Sequence, residues 1–456
     1  MEKQTINNNI EYFTRLFQEN RQFINKNGNG LLNSPREEAL EKFSRLGIPA
    51  KKNENYKYTD LTPLFSNDYK YFFDPEKIIF NVDDVFKCDV PELDTEVVIL
   101  LNGFYYSRNK LITEYENGII IGSLSEASKK YPEIVGKHYR KYAHDEKEGL
   151  VALNSAFSLD GVFIYFPKNT SLDKPIQLIN ISLSENDLFI QHRNLFVFEE
   201  NSSANIIVCD HSLSPKRFLT NQVVEVYTGP NARFDYTRVQ NEHLGTAQIT
   251  HTFIQQETYS SVSYNNITLH GGVIRNNVYA VLNGAGCENN SIGLYLLDKG
   301  QHIDNFTLID HASPNCTSNQ LYKGILDDFS TGAFNGKILV RPDAQKTLAY
   351  QANNNILLTD DARMNSKPQL EIYADDVKCS HGATVGQLDK NAMFYLRSRG
   401  INYKEARLML LYGFANDVIK RIKADPLRER INELVEKRLR GELSRCNSCH
   451  MNCGEC

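Results

Sequence analysis

The sequence predicts a mostly β protein with α-helical segments at both ends. Between residues 96 and 388, short runs rich in Val, Ile, Phe, Tyr and Thr are separated by clusters of Gly, Asn, Asp and Ser, a pattern typical of strands and turns. Before residue 50, and again from 390 to 440, apolar residues recur at helical spacing. With 456 residues, 41% of them hydrophobic and 23% charged, the chain can form one large core or two to three smaller units.

Two helices are predicted in an N-terminal helical domain, residues 1–95. The first ends near the Asn and Gly residues at 27–30, and its apolar residues are Ile10, Phe13, Leu16, Phe17 and Ile24. The second begins with a capping box formed by Ser34 and Glu37 and stops at Gly47. These start and stop signals make helices the favoured structure for this segment.

The strand-rich segment, residues 96–388, fits either a β-sandwich or a solenoid. The repeat is too irregular to decide between them. In a solenoid each coil would bury one side of its strands against the coils above and below. Predicted strands include 97–101, 162–166, 205–209, 261–269 and 369–373. A charged interruption at 129–149 is expected to contain a short helix and to be a solvated surface insertion.

Helices return in a C-terminal helical domain, residues 389–445. A short helix is predicted at 390–398, and a longer one follows a capping box of Asn402 and Glu405. A last helix is predicted to begin at Asp425-Pro426 and to end at Gly441. The amphipathic pattern of the last two helices favours a packed helical hairpin.

A thiol and an imidazole stand two positions apart within residues 360–389, at Cys379 and His381. On a strand, residues i and i+2 point to the same face, so a sulfur and a nitrogen ligand would lie side by side. Such a pair can hold iron or receive sulfur. The alternative is structural, since Cys is often buried and a nearby His is commonly hydrogen-bonded. The spacing alone leaves both interpretations open.

Residues 360–389 resemble the signature of the SufB/SufD family of iron–sulfur cluster assembly proteins. The Cys-Ser-His-Gly form at 379–382 is similar to that of the SufD branch. In the SufB branch a sulfur-accepting Cys lies further upstream, and here Asn354 aligns with it, an amide that cannot accept a persulfide. Residues 47–60 also resemble the family's N-terminal motif, with Tyr56 where the family often has Trp.

The resemblance implies a right-handed parallel β-helix core flanked by N-terminal and C-terminal α-helical domains. It further implies a non-catalytic scaffold subunit of the SUF iron–sulfur cluster assembly complex, which pairs with SufB through the β-helix and binds the SufC ATPase through the C-terminal helices. His381 would lie at the junction with SufB and offer its imidazole to a transient cluster, or its iron, shared with that partner. Cys379 would be a second ligand or would shape the end of the strand. A homodimer of the isolated chain is compatible with this role, and the association of a flavin is left open.

The C-terminal tail, residues 446–456, holds four thiols as two C-x-x-C pairs, at Cys446, Cys449, Cys453 and Cys456. Such pairs let two thiolates reach one ion, so the tail is a speculative Zn or Fe site. The alternative is a flexible terminus that binds metal opportunistically. The remaining thiols are expected to be packing residues, and five His in the strand region to be structural: Cys88, Cys209, Cys287 and Cys316; His243, His251, His270, His302 and His311.

Charge and motifs exclude several function classes. A net charge of −5 and a pI near 6.2 argue against a nucleic-acid surface. No apolar run approaches eighteen residues and no basic, apolar leader is present, so we expect a cytoplasmic protein with no membrane partner and with reduced thiols. No nucleotide-binding or hydrolase motif occurs, so catalysis by the chain alone is unsupported.

An exported β-solenoid enzyme acting on polysaccharide is the alternative function. Such enzymes need carboxylates close together on one face. The candidates are the Asp pairs at 327–328, 360–361 and 375–376. Adjacent residues on a strand point to opposite faces, and the chain lacks an export signal, so the sequence favours the scaffold.

Overall fold

Two long sheets face each other in the computed structural model, which describes residues 2–26, 28–73 and 94–442. The first sheet has the order β20-β18-β16-β14-β12-β10-β8-β6-β5-β4, and β1 also pairs with β8. The second has the order β21-β19-β17-β15-β13-β11-β9-β7-β2-β3. From β6 and β7 onward the chain alternates between the sheets, and each strand pairs in parallel with the equivalent strand of the neighbouring coils. The core is therefore a parallel β-solenoid of about eight turns, as the resemblance implied.

The strands are named in chain order. Those of the first sheet are β1 (Lys70–Tyr71), β4 (Ile112–Glu114), β5 (Ile120–Ser123), β6 (Val162–Phe166), β8 (Leu188–Phe198), β10 (Phe218–Thr228), β12 (Thr246–Gln256), β14 (Val273–Leu282), β16 (His302–His311), β18 (Thr331–Val340) and β20 (Arg363–Ile372). Those of the second are β2 (Glu96–Leu101), β3 (Phe104–Tyr106), β7 (Ile176–Ser182), β9 (Ser203–Ser212), β11 (Arg233–Asn241), β13 (Ser261–His270), β15 (Glu288–Leu297), β17 (Thr317–Leu326), β19 (Leu348–Leu357) and β21 (Lys378–Gly386).

The corners of the solenoid repeat even though the coil length does not. Strands of the second sheet begin at 203, 233, 261, 288, 317, 348 and 378, so the repeat varies from coil to coil. Residues just before these strands adopt the left-handed conformation, among them Asn201, Asn231 and Asn315. Asn tolerates this conformation better than most residues, which explains the Asn-rich turn clusters of the sequence. The irregular repeat is the reason that strand spacing could not distinguish a solenoid from a sandwich.

Helices cover the outer face of each sheet. The N-terminal ones are α1 (Glu2–Lys26), α2 (Gly30–Asn33), α3 (Arg36–Leu46) and α4 (Thr62–Phe65), with a 3-10 turn at Glu54–Tyr56. Aromatic residues of this group, such as Phe13 and Phe65, pack on Phe189 of the first sheet. The C-terminal helices are α8 (Lys390–Ser398), α9 (Tyr403–Ile419) and α10 (Asp425–Arg440), and the last two pack on the second sheet. A third apolar cluster fills one side of the lumen between the sheets.

The charged interruption predicted at 129–149 contains the expected short helix, α6 (Pro132–His138). This helix follows α5 (Leu124–Lys130) and precedes α7 (Gly149–Phe157). All residues of α7 are buried, and the sequence analysis did not predict this helix. Its burial reflects a close approach between segments distant in sequence: a Cβ at Gly149 would lie 1.8 Å from the carbonyl oxygen of Gly47. The many charged residues of the preceding loop led the sequence analysis to overlook this helix, which packs beside α3.

Buried ion pairs tie these helical layers to the solenoid. Arg275 of β14 pairs with Asp304 of β16, stacks on the Tyr56 ring at 3.8 Å and donates to the Asn55 carbonyl at 2.7 Å. The Thr59 hydroxyl donates to the same Asp304 carboxylate. The segment that resembles the family's N-terminal motif is therefore an anchor on the outer face of the first sheet.

The C-terminal helices have a comparable anchor. The Lys323 ammonium on β17 binds the Phe414 carbonyl at 3.2 Å and the Asp417 carboxylate at 2.7 Å. Hydrogen bonds from Lys323 and Lys420 lower the pKa of Asp417 to about 2, so the carboxylate is charged at neutral pH. Within the described ranges, no helix is both long and apolar enough to cross a membrane.

Candidate functional site

The last coil, β20 and β21, forms the open end of the solenoid. β20 pairs only with β18 and β21 only with β19 among the described strands, so each has a free outer edge. Every residue of β21 is exposed except the half-buried Cys379. A strand edge with unpaired N–H and C=O groups can pair with another chain.

Cys379 and His381 lie on the inward-pointing row of this coil. In β19, Ala349 and Gln351 are buried while Leu348 and Tyr350 are exposed, which identifies the inner row. Cys379 lies directly over Ala349, and His381 over Gln351. The two ligand candidates therefore share a face, as their spacing predicted. His381 is exposed because no further coil covers it.

The two side chains have different surroundings. Cys379 packs against the small apolar cluster at the corner that contains Ile338, Val340 and Leu370. This burial raises the pKa of its thiol, so the sulfur stays protonated at neutral pH. Metal binding uses the thiolate, so His381 is the readier ligand of the two.

This end of the solenoid does not hold a complete set of metal ligands. No group of three or more His, Cys, Asp or Glu within residues 2–26, 28–73 and 94–442 could hold a metal ion. Iron bound by His381 would therefore need ligands from outside that part of the chain. The four tail cysteines and Cys88 lie outside the described residues, so the tail metal site remains a prediction.

Asn354, the residue aligned with the sulfur-accepting Cys of the SufB branch, does not share the row of His381. It lies on the alternate row of β19 and its side-chain oxygen accepts a hydrogen bond from Thr384 at 3.3 Å. Gln351 and Asn353 occupy the inward row instead. A linear alignment is not enough to place a residue on one face of a strand, because a shift of one residue reverses the face.

Gln351 is a site residue that the sequence analysis missed. Its side chain is 3% exposed, and neither its oxygen nor its nitrogen has a hydrogen-bond partner among the described residues. It reaches across the lumen to Gly336 of β18, where a Cβ would lie 2.3 Å from Nε2. Gln351 precedes His381 by one coil of the solenoid. Had the coil length been known from the sequence, counting back one coil from His381 would have identified Gln351 as its neighbour.

Large apolar side chains are exposed around the open end. Tyr373 follows β20 and is 63% exposed, Val385 on β21 is 45% exposed, and Phe394 on α8 is 75% exposed. The helix α8 has no buried residue at all. Exposed apolar groups gathered at one end of a protein commonly mark a surface that binds another protein.

The residues predicted to be structural make internal contacts. The five His predicted to be structural have hydrogen-bond partners: His243 with Ser214, His251 with Tyr56, His270 with Glu242, His302 with Thr331, and His311 with Ser318. Of the carboxylate pairs proposed for a polysaccharide enzyme, Asp327 binds Arg407 of α9, and Asp328 accepts the Lys299 N–H. Asp327 therefore links a coil corner to α9, and Asp328 links it to the corner of the preceding coil.

Comparison with known proteins gives two family matches that together span most of the chain. Residues 181–414 match the core domain of the SufBD proteins of the SUF system for FeS cluster assembly. Residues 7–178 match the SufBD N-terminal region. The chain belongs to the SufBD family. The first match runs from the end of β7 through β21 and into α9, so it includes the open end.

Three of the relatives found match over most of the chain. An iron–sulfur cluster assembly SufBD family protein of Synechocystis is 30% identical over 90% of this chain and 91% of its own. The iron–sulfur cluster assembly protein SufD of Escherichia coli is 28% identical over 90% of this chain and 94% of its own. The chloroplastic protein ABCI7 of Arabidopsis thaliana is 26% identical over 85% and 82%.

Proposed function

We propose that this chain is the SufD-type scaffold subunit of a cytoplasmic SUF complex and has no catalytic activity of its own. Its open end would pair with a SufB-type subunit, and its C-terminal helices would bind the SufC-type ATPase. The observation that carries this proposal is the exposed imidazole of His381 on the inward row of a coil that has no successor. Family membership supports a role in iron–sulfur cluster assembly.

Iron is the cargo of this site. A neutral imidazole is a suitable ligand for iron, and a single protein ligand gives weak, reversible binding. The missing ligands would come from the SufB-type partner, so the site would be complete only when the two open ends meet. Movement of the ATPase subunits against the C-terminal helices would separate the ends and release the cluster. The test is anaerobic reconstitution of the three-subunit complex with ferrous iron and a sulfide source, followed by iron and sulfide analysis.

The free edge of β21 is better suited to pairing than that of β20. Pro368 lies in the middle of β20 and has no N–H to donate, a common protection of edge strands. β21 has no proline and ends in exposed Val385 and Gly386. We therefore assign the strand-to-strand contact with the SufB-type subunit to β21.

A charge placed on this edge should disrupt the pairing. We expect Val385→Asp to weaken binding to the SufB-type subunit by about tenfold or more, equivalent to at least 1.4 kcal/mol, because an unpaired carboxylate would be desolvated at the interface. Isothermal titration calorimetry measures the effect. Leu244→Asp is the matched control, since Leu244 is 43% exposed at the corner between β11 and β12, several coils before the last one. Equal binding by the two variants would exclude β21 as the contact.

The binding surface for the ATPase is assigned to the exposed side of α8 and α9. Besides Phe394, the residues Tyr395, Tyr403 and Met409 are more than half exposed there. The opposite side of α9, including Ala415 and Val418, is buried against the second sheet. Size-exclusion chromatography of the chain alone, and then with each partner, tests for self-association. A homodimer would use the same open end as the SufB-type subunit. It should therefore dissociate when that subunit is added.

Gln351 provides a second prediction at the site. A buried amide without hydrogen bonds costs about 1–3 kcal/mol, so Gln351→Leu should raise the free energy of unfolding of the isolated chain by about 1 kcal/mol. If the amide instead serves the bound iron or sulfide, the same variant should lower the cluster yield of the complex. Urea unfolding and the reconstitution assay measure the two effects. A variant that lost stability and kept its yield would show that Gln351 only fills the lumen.

The Cys-rich tail is proposed as a separate Zn or Fe site. Co-purification from the native host, with metal and sulfide analysis, would compare the full-length chain with one truncated after Arg445. Metal lost on truncation would identify the tail as the ligand source. Equal metal content in both would assign the metal elsewhere.

A further inference from the structure

Two buried cysteines stand one above the other at a corner of the solenoid. Cys287 directly precedes β15 and Cys316 directly precedes β17, strands that pair in register from their first residues. The Thr317 N–H donates to the Cys287 carbonyl at 2.9 Å, which continues the ladder back to the cysteines. Both side chains have zero exposure. The two residues are thus nearest neighbours in successive coils.

The two thiols converge on one acceptor. The sulfur of Cys287 lies 3.0 Å from the Gly284 carbonyl oxygen, and that of Cys316 lies 3.3 Å from the same atom. Neighbouring strands are about 4.8 Å apart, within the range of Cα separations that a disulfide spans, about 4.4–6.8 Å. The sulfurs can therefore approach each other by side-chain rotation, with little movement of the backbone.

The pair also has the asymmetry that thiol oxidation requires. The neighbouring Cys287 thiol lowers the pKa of the Cys316 thiol, and His311 acts in the same direction. His311 is fully buried, and its Nε2 contacts the Ser318 hydroxyl at 2.8 Å. Cys316 is consequently the thiol that ionises first, and Cys287 keeps its proton.

We propose that Cys287 and Cys316 form a redox modification site, at which a hydroperoxide converts the two thiols into a disulfide that joins two successive coils. The Cys316 thiolate attacks the peroxide oxygen, which gives a sulfenic acid and releases the alcohol, or water when the oxidant is hydrogen peroxide. Cys287 then attacks the sulfenic sulfur, and water leaves as the S–S bond forms. In total, two thiols and one hydroperoxide give one disulfide, one alcohol and one water. A small thiol reductant reverses the reaction by exchange.

Access to the sulfurs is through a thin corner. Residues 283–286 separate the thiols from solvent, and this stretch contains the exposed Asn283 and two glycines, of which Gly286 adopts a left-handed backbone conformation with φ of +71°. Only a small oxidant passes such a layer during local opening. Oxidation of the native chain should therefore be slower than that of an exposed thiol, and hydrogen peroxide should act more readily than a bulky disulfide.

Peptide mapping tests the proposal on the full-length chain. Trypsin places Cys287 in the peptide 276–299 and Cys316 in the peptide 300–323, because Arg275, Lys299 and Lys323 are the cleavage sites. After treatment with hydrogen peroxide, denaturation and alkylation, we expect a linked 276–299/300–323 pair that dithiothreitol separates. Either Cys287→Ser or Cys316→Ser should abolish it. Serine fits this position, since Ser260 occupies the same row one coil earlier.

Cys209→Ser is the matched control. Cys209 is also a buried thiol, but its ladder neighbours are Ile179 and Val239, so its replacement should leave the linked peptide unchanged. Recovery of both peptides in alkylated form from peroxide-treated wild type would overturn the proposal. So would a linkage of Cys287 or Cys316 to a tail cysteine in place of each other. Circular dichroism of each variant confirms that it remains folded.

Discussion

Replacing His381 by Ala is expected to lower the cluster yield of the reconstituted complex by at least about tenfold. Even the loss of a residue that only orients a metal ligand costs about 10- to 100-fold in affinity or activity. His381 is exposed at the open end, so the substitution should leave the fold and stability of the isolated chain unchanged. The measurement is iron and sulfide content after anaerobic reconstitution with SufB-type and SufC-type subunits.

Two further variants distinguish a ligand from a shaping residue. His381→Cys restores a soft ligand and should recover part of the yield, whereas Cys379→Ser should have a smaller effect, because the Cys379 thiol is half-buried and protonated. Binding of the SufB-type subunit must be unchanged in all of these variants. A normal yield from His381→Ala in an intact complex would exclude this residue from the site.

Replacing Glu225 by Ala should cause the largest loss of stability. Glu225 is fully buried in β10 and pairs with the buried Arg193 through a hydrogen bond of 2.9 Å. Its carboxylate also accepts the N–H groups of Arg140, Tyr142 and Ala143, at 2.9, 3.0 and 3.1 Å. Removing it leaves part of the Arg193 guanidinium and three backbone N–H groups without their acceptor. Breaking a buried pair costs about 3–5 kcal/mol, and unsatisfied backbone donors add to this.

This loss would be a large fraction of the total stability of a protein, which is typically about 5–15 kcal/mol. The measurement is the urea midpoint of the isolated chain. Glu200→Ala provides the control, because Glu200 pairs with Lys168 on the surface and its removal should change the midpoint little. A Glu225→Ala variant with the same midpoint as this control would mean that water replaces the carboxylate in the 140–143 loop.

Most local elements were well predicted from the sequence because their signals are local, but the capping box of Ser34 and Glu37 is wrong, since α3 begins after Pro35 without a side-chain cap. The strand at 162–166 and the helix at 390–398 agree with β6 and α8. The capping residue Asn402 accepts the Glu405 N–H at 3.0 Å, as the capping box required. The helix at 149–157 was missed because it is buried on all sides, and such a segment has no amphipathic period to detect.

The relation between coils could not be read from the sequence. Cys379 and His381 were found from their spacing and from a resemblance, but Gln351 beneath His381 was not. Nor did the sequence show that Cys287 and Cys316 are stacked. Each of these pairs is separated by about one coil, and coil length varies along the solenoid, so no fixed interval identifies neighbours. A shift of one residue would also exchange the lumen for the outer face.

The sequence by itself determined most of the helices and strands, the shared face of Cys379 and His381, and the resemblance to the family. These properties depend on residues a few positions apart and on short motifs. The periods of the helix and of the strand are sufficient to predict how such residues are arranged. Only the tertiary structure decided that His381 is exposed, that Gln351 lies buried beneath it, and that β21 has a free edge. The physical reason is that the inner row of a solenoid is buried wherever another coil follows, and residue 381 lies on the last one.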